Sequence, residues 1–288
     1  MKFTKMQGIG NDFVVVNCLD HPLAEAQLPG LSRYLNDRKF GVGGDGLLLV
    51  YPSKMADYRM RMLNPDGSEA EMCGNGIRCF GKYLFDRRMV PEPQFRVETL
   101  AGVKHLRVTS RGGKAETIRV DMGQPRLRRA EIPMRGDDTP TVVAEAVKID
   151  GRKFEVTAVS MGNPHAVVFV DDVAAFDVPR YGPQIETHRL FPQRTNVQFA
   201  QVTSSSEMTV RTWERGAGIT LACGTGACAS AVAGSLTERT GKRVNVHLPG
   251  GSLTIEWLGD NRVVMTGPAA DVFEGTVELP AVPPDVAA

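Results

Sequence analysis

Alternation of apolar and polar residues marks much of the chain. FRVETL, IRVDM, MTVRTW, VNVHL and LTIEWL place apolar side chains at every second position, the pattern of a strand. The compact apolar runs FVVVN, GLLLVY, VVFVDD and RVVMTG also read as short strands. Turn chemistry separates them at Pro65-Asp66-Gly67, Arg111-Gly112-Gly113 and Leu248-Pro249-Gly250-Gly251. Helical patterns are fewer: residues 31–38, the run IRCFGKYLFDRR after Gly76, and ACASAVAGSLTER after Gly226. The last is rich in alanine and other small residues, which suits a helix packed tightly inside a sheet. The predicted architecture is α/β, of the α+β kind: a curved, mostly antiparallel sheet wrapped around one central helix, drawn twice.

The doubling comes from an internal repeat. EMCGNGIRCF, ending at Phe80, returns as LACGTGACAS, ending at Ser230, so that Cys73 lies over Cys223. Asn64 then lies over Glu214, each nine residues before its cysteine. GIGNDFVVV resembles SMGNPHAVVFV and sets Asn11 over Asn163 at an offset of 152; ETLAG lies over HLPGG at 149. Such a period is too long for a solenoid and reads as two copies of one domain. The expected domains are residues 1–118, carrying Cys73 and joined by a C-terminal strand near 271–280, and residues 119–270, carrying Cys223. The seam lies near 117–125, the active site is expected in a cleft between the halves that closes on substrate, and the tail AVPPDVAA reads as a frayed end.

The 288 residues suffice for two cores, and 34 Lys+Arg against 33 Asp+Glu give a formal net charge of +1. No basic surplus exists to neutralise phosphates, which argues against a nucleic-acid partner. The basic run Arg126, Arg128, Arg129 reads as a solvated connection. The N-terminal stretch holds an apolar run of only four residues, Phe13 to Val16, far short of the roughly 20 that span a bilayer. Five cysteines, an odd number, do not make a disulfide framework. The chain is expected to be cytoplasmic, with reduced thiols and no membrane partner.

Each cysteine phrase ends a strand and opens a helix. The first N–H groups of a helix lack intrahelical partners and, with the positive end of the macrodipole, form an anion site. A cysteine placed there gains thiolate character. Cys18, Cys79 and Cys228 read as small buried hydrophobes. For Cys73 and Cys223 three readings stand: a metal site, a redox pair, or two matched acid–base groups. Zinc would prefer closer cysteine pairs than Cys73 and Cys79, and no Cys-x-x-Cys is present. Two-sided proton transfer explains the duplication itself. Inverting a carbon needs one group to remove a proton from one face and another to return one to the opposite face, working as one thiolate and one thiol because two thiolates repel.

GNDF, LNPDGSEAEMCGNGIRCF, SMGNPH, TNVQF, WERGAGITLACGTGACA and LPGGSL, in this order, resemble the signatures of the diaminopimelate epimerase family over nearly the whole chain. The resemblance implies interconversion of LL- and meso-diaminopimelate without pyridoxal phosphate, metal or other cofactor, in lysine and peptidoglycan precursor synthesis. It implies Cys73 and Cys223 as the catalytic acid and base, with His165 and Glu214 adjusting their protonation. Gly74-Asn75 and Gly224-Thr225 would bind the reacting carboxylate. Asn11, Asn64, Asn163, Asn196, Glu214 and Arg215 would hold the rest of a small-molecule substrate; a homodimer is compatible with this reading.

One departure stands out. Gly46 occupies a position that is often glutamine in the family, so one side-chain contact to substrate is missing; Asp45 beside it is not assigned that contact. Two other functions share the features: a racemase of proline, hydroxyproline or general amino acids on the same fold, and a thiol-based metal-binding or redox module. Racemases of that type lack the Trp-Glu-Arg-Gly context.

Overall fold

The computed structural model describes residues 1–279; the tail AVPPDVAA lies outside them. Along the chain come β1 (Lys2–Gly8), β2 (Asn11–Asn17), α1 (Leu28–Asn36), β3 (Gly46–Tyr51), β4 (Tyr58–Leu63), β5 (Glu69–Ala70), α2 (Gly74–Asp86), β6 (Gln94–Thr99), β7 (Gly102–Arg111) and β8 (Lys114–Gly123). Then follow β9 (Val142–Ile149), β10 (Arg152–Ser160), β11 (Pro164–Phe169), α3 (Val178–Glu186), β12 (Asn196–Ser204), β13 (Glu207–Glu214) and β14 (Gly218–Thr220). Last come α4 (Gly224–Leu236), β15 (Arg243–Leu248), β16 (Gly251–Trp257), β17 (Val263–Gly267) and β18 (Ala270–Thr276). Two compact units form: Met1–Val120 with the chain from Gly267 on, and Asp121–Thr266.

In the first unit β18, β1 and β2 are antiparallel neighbours, β2 runs parallel to β3, and β3 pairs antiparallel with β4. Strand β4 carries β5 antiparallel and β6 parallel, and β6, β7 and β8 continue antiparallel. The second unit repeats this sequence of pairings. Its β9, β10 and β11 are antiparallel, β11 is parallel to β12, and β12 is antiparallel to β13. Strand β13 carries β14 antiparallel and β15 parallel, and β15, β16 and β17 follow antiparallel. Even the register recurs, with Phe13 opposite Gly46 and His165 opposite Asn196.

Each sheet wraps the helix that its cysteine opens. Helix α2 packs on β1, β2, β3, β4, β7 and β18, and α4 on β10, β11, β12, β13, β15 and β16. Helix α4 fits its sheet closely with glycine, alanine and serine: a Cβ at Gly234 would lie 2.6 Å from Thr240 Oγ1. A second apolar layer lies under α1, where Leu28, Leu31 and Leu35 meet Val14, Val16, Leu47 and Leu49.

Three details differ from the sequence pattern. Helix α1 starts at Leu28, before residue 31, because Pro29 is tolerated in a first turn. It stops at Asn36, where Asp37 turns extended and its carboxylate accepts from the Lys39 and Phe40 amides. Helix α3 escapes the pattern because Pro179, Gly182 and Pro183 read as breakers. Asp177 caps it by accepting from the Arg180 N–H, and Gly182 lets it lie against Trp213, where a Cβ would meet Cγ at 2.6 Å. The basic run is also not uniformly solvated. Arg128 pairs with Asp138 at the surface, but Arg129 is buried, donating to the Arg135 carbonyl and to Glu145.

Cys79 is fully buried in α2, and burial pushes its thiol up to about 12. A thiol whose folded pKa is raised contributes stability fully below the ordinary value, and that stability is lost as pH rises through the folded value. The free energy of urea unfolding is therefore expected to fall from about pH 9 towards pH 12. Cys79→Ala should flatten that slope by up to about 1.4 kcal/mol per pH unit. Equal slopes in the two proteins would contradict the assignment.

Candidate active site

Both cysteines sit at the N-caps of the central helices in extended conformation, with φ −131°, ψ 119° at Cys73 and φ −126°, ψ 106° at Cys223. Oxygen side chains normally fill this position. A sulfur here gives up capping strength and gains proximity to the first helical amides. Cys73 Sγ accepts from the Gly76 N–H at 3.4 Å.

Around Cys73 the first unit builds a chain of amides. Asn11, at the start of β2, lies with its Oδ1 3.9 Å from Cys73 Sγ and accepts from Asn75 Nδ2 at 3.1 Å. Asn75 Oδ1 in turn accepts from Arg78 Nη2 at 3.0 Å. The Arg78 guanidinium is fully buried, and Nη1 also donates to the Gly74 carbonyl at 2.9 Å. Arg78 thus ties the Gly74-Asn75 turn from beneath. The sequence reading passed over it, because an arginine within an amphipathic helix reads as solvated.

Around Cys223 the second unit builds a different chain. Cys223 Sγ lies 3.6 Å from Thr225 Oγ1, which accepts from Asn163 Nδ2 at 3.3 Å. Asn163 Oδ1 meets His165 Nε2 at 3.0 Å, and His165 Nδ1 meets the Gln198 amide at 3.2 Å. Burial holds the His165 imidazolium down at about 3, with the Gln198 contact opposing and the Arg215 charge assisting. The ring is therefore neutral and carries a single N–H. One flanking amide must then donate to it. Gln198 Nε2 is buried without another partner, so turning that amide over gives the ring its donor. The resulting order runs Gln198 to His165 Nδ1, His165 Nε2–H to Asn163, and Asn163 to Thr225, which leaves the threonine hydrogen for sulfur. Gln198 was missed in the sequence; its signal is a glutamine in the wholly buried run Asn196 to Ala200.

Cys223 is buried, and burial first, then the charge of Glu214, push its thiol well above the ordinary range; Thr225 and the Gly226 amide pull the other way. Glu214 Oε1 accepts from Thr220 Oγ1 at 2.6 Å, which fixes it at the end of β13. Asn196 is also buried: its Nδ2 donates to the Pro164 carbonyl at 3.1 Å and its Oδ1 accepts from the Arg215 N–H at 3.0 Å. Arg215 Nη1 donates to the Gln193 carbonyl at 3.0 Å. Asn64 follows β4, its Nδ2 on Ser68 Oγ at 3.0 Å, in the turn before β5. At Gly46 a Cβ would meet Met62 Cε at 3.0 Å and the Leu63 carbonyl at 3.3 Å, so the backbone there is packed against β4.

The structure thus joins Cys73, Gly74, Asn75 and Asn11 in one cluster, and Cys223, Thr225, Asn163, His165 and Glu214 in the other. Among the described residues no group of three or more His, Cys, Asp or Glu side chains is arranged to hold a metal ion. No described helix is long and apolar enough to cross a membrane.

Residues 3–128 and 157–272 match the diaminopimelate epimerase family. The chain is 56% identical over 277 residues to the diaminopimelate epimerase of Desulforudis audaxviator, covering 96% of this chain and 98% of that one. It is 54% identical over 278 residues to that of Desulfitobacterium hafniense, with the same coverage. Among solved structures, a PhzF-family phenazine biosynthesis protein of Bacillus anthracis matches with TM-score 0.72 at 16% identity, covering 97% of this chain and 99% of that one. A hydroxyproline epimerase of Agrobacterium vitis with bound trans-4-hydroxy-L-proline matches with TM-score 0.70 at 15% identity, covering 96% and 90%. These two likenesses concern the fold.

Proposed function

The chain belongs to the diaminopimelate epimerase family and interconverts LL- and meso-diaminopimelate, and from that premise we propose that Cys73 and Cys223 are the acid and base of the reaction. The observation that carries this is the placement of each thiol at the N-cap of a buried central helix in a repeated fold. One thiolate takes the α-hydrogen and the other thiol supplies a hydrogen to the opposite face. Each turnover therefore exchanges the protonation states of the pair, and the reverse reaction uses them in reverse order. In the free chain burial and Glu214 keep Cys223 protonated, which suits it to open the reaction as the acid.

Proton transfer by placed groups contributes about 10²–10⁴-fold, which is too little for a weakly acidic α-hydrogen. The remainder must stabilise charge spreading into the carboxylate. The amides of Gly74-Asn75 and Gly224-Thr225, at their helix N-termini, are the donors for that carboxylate, and one such donor is worth roughly 3–4 kcal/mol. Arg215 offers a guanidinium for a second carboxylate, while Asn11, Asn64 and Glu214 offer oxygens for ammonium groups. Asn163 and Asn196, whose oxygens are engaged by His165 and the Arg215 N–H, shape the rest of the substrate site.

Purified protein incubated with LL-diaminopimelate in heavy water, with no added cofactor, is expected to yield meso product carrying one deuterium at the inverted α-carbon. Epimerisation without deuterium in the product would overturn the two-thiol reading, and so would strict dependence on pyridoxal phosphate.

A further inference from the structure

The two units hold their equivalent asparagines by opposite ends. Asn163 is fixed by its oxygen, against His165, and its nitrogen points to Thr225. Asn11 is fixed by its nitrogen: Nδ2 donates to Asp45 Oδ2 at 2.7 Å. A carboxylate can only accept in such a contact, so the orientation of the Asn11 amide is determined. Its oxygen must face the other way, towards Cys73 and Asn75. Arg78 gives the same answer from the far end, since a guanidinium only donates: it takes Asn75 Oδ1 and leaves Asn75 Nδ2 for Asn11 Oδ1.

Asp45 is itself rigidly held. Its N–H donates to the Asp12 carbonyl at 2.7 Å, and its Oδ2 also accepts from the Asp12 N–H at 3.1 Å. Its Oδ1 pairs with Arg38 at 2.8 Å, and Arg38 also pairs with Asp12, which is bound by Lys5. Gly44, next to it, lets the loop lie close against the end of α1, where a Cβ would lie 2.9 Å from Asn36 Oδ1. The equivalent residue in the second unit, Thr195, instead turns its hydroxyl to the Asn196 carbonyl. Asp45 is therefore a feature of the Cys73 half alone, next to the Gly46 position that lacks a side chain.

We propose that Asp45 is a positioning residue for the reaction: it anchors Asn11 by the nitrogen so that the amide oxygen is presented beside Cys73. That oxygen is an acceptor for a thiol hydrogen or a substrate ammonium, whereas the second unit offers a donor at the matching place. The proposal rests on the catalytic reading of Cys73. Asp45 never touches the reacting atoms and acts only through Asn11.

The test is a double-mutant cycle on kcat/KM for diaminopimelate. Asp45→Ala is expected to lower it about 10- to 100-fold in the wild-type background, the scale of a lost charge-assisted hydrogen bond and a misplaced contact. In the Asn11→Ala background the same change is expected to cost less than about twofold, because nothing remains to be positioned. Asp45→Asn, which keeps an acceptor, should stay within about threefold of wild type. Equal losses in both backgrounds, or Asp45→Asn as damaging as Asp45→Ala, would overturn the proposal. Cys73→Ala run alongside separates the two failures: if it stays active, the catalytic reading falls, whereas an inactive Cys73→Ala with an additive cycle sinks only the role of Asp45.

Discussion

Replacing Cys73 or Cys223 by alanine is expected to lower epimerisation of diaminopimelate by at least about 10³-fold in each case, because groups acting as a unit fail together. The two variants should nevertheless differ in what they retain. In heavy water the surviving cysteine can still take the hydrogen that faces it, exchange it with solvent and return deuterium to the same face. Each variant should then wash deuterium, without inversion, into one configuration only. One should label the L centre of the LL isomer, and the other the D centre of the meso isomer. Both thiols belong to the same reaction only if these preferences are opposite. Near wild-type epimerisation in either variant would end the two-thiol mechanism, and identical preferences would end the assignment of one face to each cysteine.

The symmetric part of the protein was legible because duplication leaves its mark in spacing. The cysteine phrases, the asparagines at an offset of 152 and the turn glycines identify equivalent positions whatever the surrounding residues, and the pairing order of the two sheets follows that register. What spacing cannot show is where equivalent positions carry unlike chemistry. His165 and Gln198 lie where the first unit has Phe13 and Leu48, so a buried polar pair stands in for two apolar side chains. Arg78 lies where the second unit has Cys228, each five residues after its cysteine. A sequence alignment records these as mismatches. Only burial and hydrogen bonding show that each supports its own cysteine, Arg78 through Asn75 and His165 through Asn163. Helix α3 was hidden for a simpler reason: its prolines and glycine are read locally as breakers, while capping by Asp177 and packing on Trp213 are contributed from elsewhere.

The same asymmetry predicts that one methyl group will do more harm in the second unit than in the first. Gly76 and Gly226 are equivalent, three residues after their cysteines, in helical backbone that alanine adopts more readily than glycine. A Cβ at Gly76 would meet Leu48 Cδ2 at 3.2 Å and Cys73 Sγ at 3.6 Å, contacts that the end of a leucine can relieve. At Gly226 it would meet the end of the Gln198 amide at 2.7 Å, Gln198 Cδ at 3.2 Å and Cys223 Sγ at 3.2 Å. Neither neighbour can yield freely, since Gln198 is buried and supports His165, and Cys223 is buried against Thr225 and Glu214. The added methyl must therefore displace the sulfur or break the chain that ends on it, and a shift of about 1 Å at a reacting group costs on the order of 10²-fold. Gly226→Ala is expected to lower kcat about 100-fold with the folded state retained, and Gly76→Ala about tenfold or less. Thermal unfolding of both variants distinguishes misplacement from loss of fold: a kcat loss in Gly226→Ala no larger than in Gly76→Ala, at equal stability, would show that the buried chain from Gln198 to Cys223 does not set the position of the sulfur.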